Sequence, residues 1–211
     1  MPGARTPRGP LTIAHRQKLQ QIKDVSAEIF WERGYAATDL RQIAYALDMH
    51  VSTLYNYIHG KEHLLYMIMI DGMDEITSRM DRALATDTAP AQQLRAALEA
   101  HILHHAHRRS RAWIGHVELR ALTGEYRATV QKLRDEYEQR WVDLLRRGMR
   151  EGVFAKSSPK LVAYGLLAIG QSVSRWYDPE GKQSAERIAR TLASTALNGV
   201  LTRSAPADEK G

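Results

Sequence analysis

A short segment at residues 52–57, STLYNY, concentrates hydrogen-bonding side chains that the packing of a core does not need. Leu54 and Ile58 lie four residues apart, so on a helix both would face inward and the polar groups would face outward. The outward groups are those of Ser52, Thr53, Tyr55, Asn56 and Tyr57. Side chains of these types can hydrogen-bond to the edges of DNA bases when the second helix of a helix pair enters the major groove.

The residues before this segment predict the helix that would position it. Thr38 can cap that helix through its hydroxyl group, and Asp48 stands where the chain must turn, because Asp tolerates the left-handed backbone conformation. The second helix is predicted over about residues 50–57. A helical hairpin with a merely polar face would show the same spacing. The apolar positions of the first helix repeat at helical spacing and are Leu40, Ile43, Ala44 and Leu47.

A second cluster, HILHHAHRR at residues 101–109, contains four histidines. His101 and His105 lie four residues apart on a predicted helix, and paired imidazoles at this spacing can hold Zn²⁺. A metal site needs three or four converging ligands, however, and no cysteine or helical HExxH motif accompanies the pair. A polar stripe, or His and Arg side chains beside an anionic ligand, explains the cluster as well. We therefore predict no metal and no cofactor.

No arrangement typical of a catalytic site is visible. The sequence lacks a GxSxG motif, a phosphate-binding glycine loop and a dinucleotide-binding fingerprint. It also has no cysteine, which excludes disulfides and thiolate metal sites and favours a reducing compartment. We predict that the protein is not an enzyme. The alternative is a helical small-molecule enzyme or metal-binding protein with an incidental helical hairpin.

The whole chain is predicted to be all-α, with about nine helices, because no sustained alternation of strand type appears. Hydrophobic residues make up 44% and charged residues 26% of the 211 residues, as in ordinary soluble globular proteins. The one markedly apolar run, residues 64–70, is too short to span a bilayer. We expect a cytoplasmic protein with no membrane partner.

The formal net charge is +6, and the N-terminus holds much of the excess. Residues 1–23 contain five basic residues and no acidic one, and prolines and glycines make the first dozen positions a flexible arm. Such an arm can contact DNA phosphates or enter a minor groove. A solubilising tail is the alternative. The other end of the chain, residues 204–211, is predicted to be disordered.

The segment TLYNYIHGKEHLL resembles the recognition helix and following segment of the TetR family of transcriptional regulators, in which TLYxYFxxKExLL is typical. Upstream, FWERGYAATDLRQIA is similar to the family pattern F-x-x-x-G-[YF]-x-x-T-[ST]-x-x-x-I-A. The two matches share one register over about fifty residues, which makes the pattern specific. Asp48, His50 and Ile58 depart from it, since Gly, Ser and Phe are usual there.

Matching this chain to the family's motif implies a set of DNA-contacting residues. Asn56 would pair with adenine and Arg41 with guanine, each through two hydrogen bonds. Lys61 would contact a phosphate, and Thr38 would hold the start of its helix against another. The implied DNA-binding residues are Thr38, Arg41, Ser52, Thr53, Tyr55, Asn56, Tyr57 and Lys61.

The resemblance also implies the domain organisation. Residues 1–61 would form a helix-turn-helix DNA-binding domain with the basic arm, and residues 62–203 a helical ligand-binding and dimerisation domain. The last two helices would pair with those of a second subunit as a four-helix bundle. The helix from Pro159 is apolar nearly all round and rich in small residues, as burial on two sides requires. A C₂ homodimer would supply two recognition helices to a palindromic operator, although both helices could instead pack within one subunit.

An effector pocket is expected, by the same resemblance, among the long middle helices. HVELRAL, LRDEYEQRW and RWYDPEG resemble a subset of TetR-type regulators found with fatty-acid and steroid catabolism, several of which release DNA when a CoA thioester binds. An acyl-CoA effector is therefore predicted, with arginines near residues 108–111 and Arg175 available for its phosphates. Effector binding would move the helix from Lys61. The candidate pocket residues are Met73, Ile102, His105, Trp113, His116, Leu119, Tyr137, Trp141, Leu166 and Arg175.

Overall fold

The computed structural model describes residues 12–85 and 89–201, and these ranges form the predicted all-α fold. They contain nine α-helices and one short 3-10 helix, Leu119–Ala121, between the sixth and seventh. Residues 1–11 of the predicted N-terminal arm, residues 86–88 and the predicted disordered tail at 204–211 lie outside the described ranges. The α-helices are α1 (Ile13–Arg33), α2 (Leu40–Ala46), α3 (Val51–Leu54), α4 (Lys61–Ala85), α5 (Pro90–His107), α6 (Arg109–Val117), α7 (Gly124–Arg150), α8 (Pro159–Trp176) and α9 (Ala185–Val200).

Local chemistry fixes where several of these helices begin and end. The hydroxyls of Ser158 and Ser184 accept backbone N–H groups in the first turns of α8 and α9. Gly34 ends α1: its φ of 85° suits a residue without a Cβ, and its N–H donates to the carbonyl of Phe30 at 2.9 Å. Within residues 12–85 and 89–201, no helix is long and apolar enough to cross a membrane.

One predicted helix is shorter in the structure. The α-helical part of α3 covers Val51–Leu54 instead of about residues 50–57, because the chain continues through tighter hydrogen bonds: Asn56 N–H donates to the carbonyl of Thr53 at 3.0 Å.

The apolar side chains form two clusters. One holds α1, α2 and α3 against the first half of α4, and it also includes Ile114 of α6 and Val130 of α7. The other joins the second half of α4 to α5, α7, α8 and α9 around the fully buried Trp141. Because α4, α6 and α7 contribute to the first cluster, the first three helices share packed surface with the C-terminal half. A domain division at residue 61 stays a prediction.

Candidate nucleic-acid interface and effector cavity

The helix pair α2–α3 has the apolar contacts and the left-handed turn that the sequence predicts. Ile43, Leu47, Leu54 and Ile58 are all buried and hold the two helices against α1 and α4. Asp48, in the turn between them, has a φ of 50°, which is the left-handed conformation expected there. The turn therefore leaves the polar side of α3 outside the core.

Most of the side chains predicted to contact DNA lie on this outer face. Thr53 and Tyr57 are half-buried, and the Tyr57 ring stacks on His15 of α1 with 4.6 Å between ring centroids. The stack attaches the C-terminal side of α3 to the start of α1. The remaining members of the face are exposed and are Arg41, Ser52, Tyr55 and Asn56.

Tyr45 is a further exposed aromatic side chain of the helix pair that the sequence reasoning did not name. Its side chain is 88% exposed. It follows Arg41 by four residues on α2, so the two share one side of the helix. The sequence did contain a signal for this exposed ring, because Tyr45 is an aromatic residue at a position outside the apolar repeat of α2.

Thr38 does not cap α2, so that prediction was wrong. Asp39 is the cap: its carboxylate accepts the N–H of Arg41 at 2.7 Å, and the Gln42 side chain accepts the Asp39 N–H at 2.9 Å. The Thr38 hydroxyl instead donates to the carbonyl of Gly34 at 2.9 Å, and the residue is 1% exposed. Thr38 therefore fixes the α1–α2 loop and is closed to a phosphate.

Lys61 is engaged within the chain, and its phosphate contact stays a prediction. Its ammonium group donates to the carbonyls of Tyr35 at 2.9 Å, Thr38 at 2.7 Å and Ala36 at 3.4 Å. It also lies 4.5 Å from the centre of the Tyr35 ring. A lysine ammonium has three protons, and these three carbonyls take them all. Lys61 joins the first turn of α4 to the loop that precedes α2.

The C-terminal half contains a cavity of about 450 Å³ between α4, α5, α6, α7 and α8. Met69, Met73 and Ile76 of α4 give it an apolar side. Its volume falls in the range of roughly 300–1,000 Å³ typical of small-molecule sites. The polar residues that line it are His101, His104, His105, Arg111, His116, Gln131, Arg134, Asp135, Tyr137, Glu138, Tyr164 and Gln171.

Of the residues predicted for the pocket, the structure places Met73, His105, His116 and Tyr137 in the cavity wall. The others lie elsewhere, because helical spacing does not separate a core side chain from one that faces a cavity. Trp113 and Arg175 contact each other, with 5.8 Å from the guanidinium to the ring. The residues that belong to the core or its edge are Ile102, Leu119, Trp141 and Leu166.

His101 is held rigidly at the inner end of the cavity. Its Nδ1 is 2.9 Å from the Tyr137 hydroxyl and its Nε2 is 3.2 Å from the carbonyl of Leu167. The carbonyl can only accept, so Nε2 carries the proton and Nδ1 accepts from Tyr137. Burial lowers the pKa of His101 to about 4 and raises that of Tyr137. Gly170 makes room for the ring, since a Cβ there would lie 2.1 Å from its Cδ2 atom.

His104 and His105 differ from His101. They are 3% and 6% exposed, and within the described ranges Nδ1 of each has no hydrogen-bond partner. Burial lowers the pKa of His104 to about 3 and that of His105 well below its usual value, so both rings are neutral at pH 7. The sequence showed the cluster but not that two of its residues line a cavity and bury one ring nitrogen each without a partner.

Metal binding by these histidines finds no structural support. Both nitrogens of His101 are already engaged. In the part of the chain that the structure describes, no three His, Asp or Glu side chains are grouped as metal ligands.

Two arginines, Arg111 and Arg134, line the cavity. Burial lowers the pKa of Arg134. Burial also lowers the pKa of His116, and the nearby Arg134 guanidinium lowers it further. Of the cations predicted to serve an anionic ligand, Arg111 is therefore placed in the wall. Arg108 instead pairs with Glu75 at 3.0 Å and is not part of the lining.

Helix α6 connects the cavity wall to α1. Arg111, whose side chain is 11% exposed, lines the cavity and forms an ion pair with Asp24 of α1. One residue earlier, the Ser110 hydroxyl donates to the carboxylate of Glu28 at 2.6 Å. A ligand that contacts α6 in the cavity therefore contacts the helix that packs against α1.

The outer side of α8 is apolar and uncovered in the single chain. Leu161 and Trp176 are 68% and 53% exposed. Gly165 lies between them on the same side, and no atom lies within 4 Å of where its Cβ would be. Gly170, by contrast, faces His101 inside the subunit.

Two family models match the sequence. One, described as tetracyclin repressor-like, C-terminal domain, matches residues 87–200, which is more than half of the chain. The other, described as bacterial regulatory proteins, tetR family, matches residues 22–66. The first match covers α5 to α9, which supply most of the cavity wall, and the second covers the helix pair α2–α3.

Known proteins of similar sequence and structure are transcriptional regulators. The chain is 27% identical over 197 residues to the HTH-type transcriptional repressor KstR2 of Mycolicibacterium smegmatis, covering 92% of this chain and 94% of that protein. A tetR-family regulatory protein from Rhodococcus RHA1 superposes with a TM-score of 0.82 at 28% identity, covering 88% and 98%. The structure of AibR in complex with isovaleryl coenzyme A and operator DNA superposes with a TM-score of 0.77 at 27% sequence identity. The match covers 84% of this chain and 97% of AibR. The chain belongs to the TetR family of transcriptional regulators.

Proposed function

We propose that this regulator is a repressor that binds a palindromic operator as a homodimer and is released by an acyl-CoA thioester. The observation that carries the proposal is the position of Arg111 on α6. This one side chain lines the cavity and also forms an ion pair with Asp24 of α1, the first helix beside the helix pair. Similarity supports the same function. KstR2 is named a repressor, and AibR is described with an acyl-CoA and operator DNA.

DNA recognition is assigned to the outer face of α2–α3. The Asn56 amide can make two hydrogen bonds to adenine, and the Arg41 guanidinium can make two to guanine. Tyr45 and Tyr55, 88% and 53% exposed, add rings and hydroxyls beside them. The net charge of +6 favours association with the phosphate backbone.

Dimerisation is assigned to the outer sides of α8 and α9. The exposed positions Leu161, Gly165, Ala168, Ser172 and Trp176 recur every three or four residues, so they form one stripe along α8. Small residues in the middle of the stripe let a second helix approach closely. Exposed apolar stripes of this kind are typical of protein interfaces, and a C₂ axis through this one would present two copies of α3.

The effector is assigned to the cavity. Its α4 side is apolar and suits an acyl group, whereas Arg111 and Arg134 suit the phosphates or carbonyl groups of a CoA thioester. The nucleotide of CoA is too large to share a cavity of about 450 Å³ with an acyl chain and the pantetheine arm, so it would lie at the mouth.

Release of DNA follows if the effector favours a different position of α6 and α4. A phosphate that pairs with Arg111 competes with Asp24 for the same guanidinium. Weakening that pair would loosen the contact between α1 and α6 and so change the spacing of the two α3 helices in the dimer. The effector shifts the equilibrium only by its difference in affinity between the two states.

Selection of duplexes from a randomised DNA library by the purified protein tests the proposal. We expect a palindromic site, a steep loss of affinity with salt, and dissociation by at least one acyl-CoA but far less by the free acid. Asn56→Ala should alter the selected site, while Gln92→Ala, at an exposed position of α5, should not. Enrichment of no sequence over the starting library would overturn the proposed function.

A further inference from the structure

We propose that Gly72 on α4 and Gly115 on α6 set how wide a ligand group the cavity accepts. Both residues line the cavity and are half-buried. This inference deepens the proposed function and rests on the cavity being its effector site. It concerns the shape of the ligand's apolar part, which the arginines of the wall do not address.

The first observation is that the packing of the protein does not require a glycine at either position. Both residues lie inside α-helices, where glycine is less favourable than alanine because it loses more conformational freedom on folding. The helical Gly170 shows the contrast, because a Cβ there would lie 2.1 Å from the His101 ring. At Gly72 and Gly115, a Cβ would meet no atom of a neighbouring helix within 4 Å. The two glycines therefore leave space that no other side chain fills.

The second observation is that each glycine lies on the side of its helix that borders the cavity. On α4, the lining residues Met69, Gly72 and Ile76 are three and four residues apart, so they share one side of the helix. The side chains before and after Gly72 on this side are long, so the glycine leaves a gap between them. On α6, Arg111 and Gly115 share a side in the same way. Since α4 and α6 pack against each other, the two gaps lie on adjacent walls of one cavity.

The space at the two glycines affects wide and narrow ligand groups differently. An unbranched alkyl chain can rotate about each of its single bonds and so pass a side chain that narrows the cavity. A saturated ring is wider and more rigid, so it needs the room that the glycines leave. Where that room is filled, a ring can enter only if side chains or backbone move, which weakens binding. A larger residue at Gly72 or Gly115 should therefore exclude a ring while the cavity still admits a chain.

Two small neutral probes, 1-heptanol and cyclohexylmethanol, test the width of the cavity without DNA or CoA. They have the same numbers of carbon and oxygen atoms and differ in shape. Binding to the full-length protein is measured by NMR titration of the methionine methyl groups, because Met69 and Met73 line the cavity and report binding there. We expect both alcohols to bind the natural protein with shifts at these methyl groups. In at least one of Gly72→Leu and Gly115→Leu, cyclohexylmethanol should bind about tenfold more weakly and 1-heptanol less than about threefold more weakly.

Ala128→Leu, at an exposed position of α7, is the matched control and should leave both affinities unchanged. Gly72→Ala and Gly115→Ala should unfold at the same or a higher temperature than the natural protein, since the space is open and alanine favours a helix. Equal losses for the two alcohols in both leucine variants, unchanged binding in both, or no binding of either alcohol at the methionines would overturn the inference. Release of the operator by an acyl-CoA panel is scored separately, so the proposed function can stand if this inference fails.

Discussion

Replacing Gly165 with glutamate should separate the subunits without unfolding them. The structure places no atom within 4 Å of a Cβ at this position, and the residue is exposed on α8. A side chain therefore fits the single chain, and loss of a helical glycine even favours the helix by roughly 0.5–1 kcal/mol. In the proposed dimer, the same carboxylate would be buried against the partner helix.

The expected magnitude follows from symmetry. A C₂ interface contains the substitution twice. An unpaired charge buried by association costs several kcal/mol, so about 3 kcal/mol for each copy gives about 6 kcal/mol in total. Since each 1.4 kcal/mol is tenfold in an equilibrium constant, the dimer dissociation constant should rise by about 10⁴-fold. A dimer that is stable at nanomolar concentration would then be monomeric at micromolar concentration.

Sedimentation velocity across a dilution series, with thermal unfolding of the same samples, measures both expectations. Gly165→Glu should sediment as a folded monomer and bind the operator poorly. Gly170→Ala is the contrasting variant: its Cβ would lie 2.1 Å from the His101 ring, so it should lose about 1–3 kcal/mol of stability without a direct effect on the interface. A Gly165→Glu protein that remains dimeric at micromolar concentration would refute the assignment of the dimer interface to this stripe.

Three further predictions concern the DNA contact, the link between the two halves and pH. Asn56→Ala should cost about 1–3 kcal/mol at one base pair of the operator, in competition assays with single-position variants; a uniform loss at every position would contradict its base-reading role. Asp24→Asn removes the partner of Arg111 and should shift the acyl-CoA concentration for half-release of DNA at least about fivefold. Asp143→Asn, which removes one member of a surface ion pair, is the control. An unchanged midpoint in Asp24→Asn would exclude the Arg111–Asp24 pair from the coupling. The three buried histidines of α5 have lowered pKa values, so in acid the unfolded chain binds protons that the folded chain does not. The free energy of unfolding should therefore fall as the pH drops from 6.5 towards about 4. The expected slope is about 1.4 kcal/mol per pH unit for each such histidine. Urea denaturation at pH 7.5, 6.5 and 5.5 measures that slope, and a flat profile would contradict the buried neutral rings.

The fold and the helix pair could be predicted because they depend on local signals. The apolar spacing of α2, the left-handed turn at Asp48 and the glycine stop at Gly34 are each encoded within a few residues. The resemblance to a family motif then placed them in order. The cap was misassigned by one residue because Thr38 and Asp39 are both good caps, and only the three-dimensional loop shows that Thr38 is turned towards Gly34.

The cavity was predicted only in part because it depends on contacts between distant helices. Tyr137 and Trp141 follow each other on α7 with the same helical spacing, yet Tyr137 lines the cavity and Trp141 is 0% exposed in the core. Arg134 carried no sequence signal that separates it from the solvated arginines of α7. Lys61 matched a family position for phosphate contact, but its partners lie more than 20 residues away in the chain and cannot be inferred from spacing.

The most direct test of the central claim is a fluorescence-anisotropy titration of the selected palindrome with the purified protein, repeated with isovaleryl-CoA and longer or cyclic acyl-CoA thioesters. The account predicts saturation at two chains per palindrome or a multiple of two, much weaker binding to a scrambled duplex, and loss of binding on addition of at least one thioester but not of the matching free acid. Equal affinity for the palindrome and the scrambled duplex, unaffected by every thioester, would contradict it.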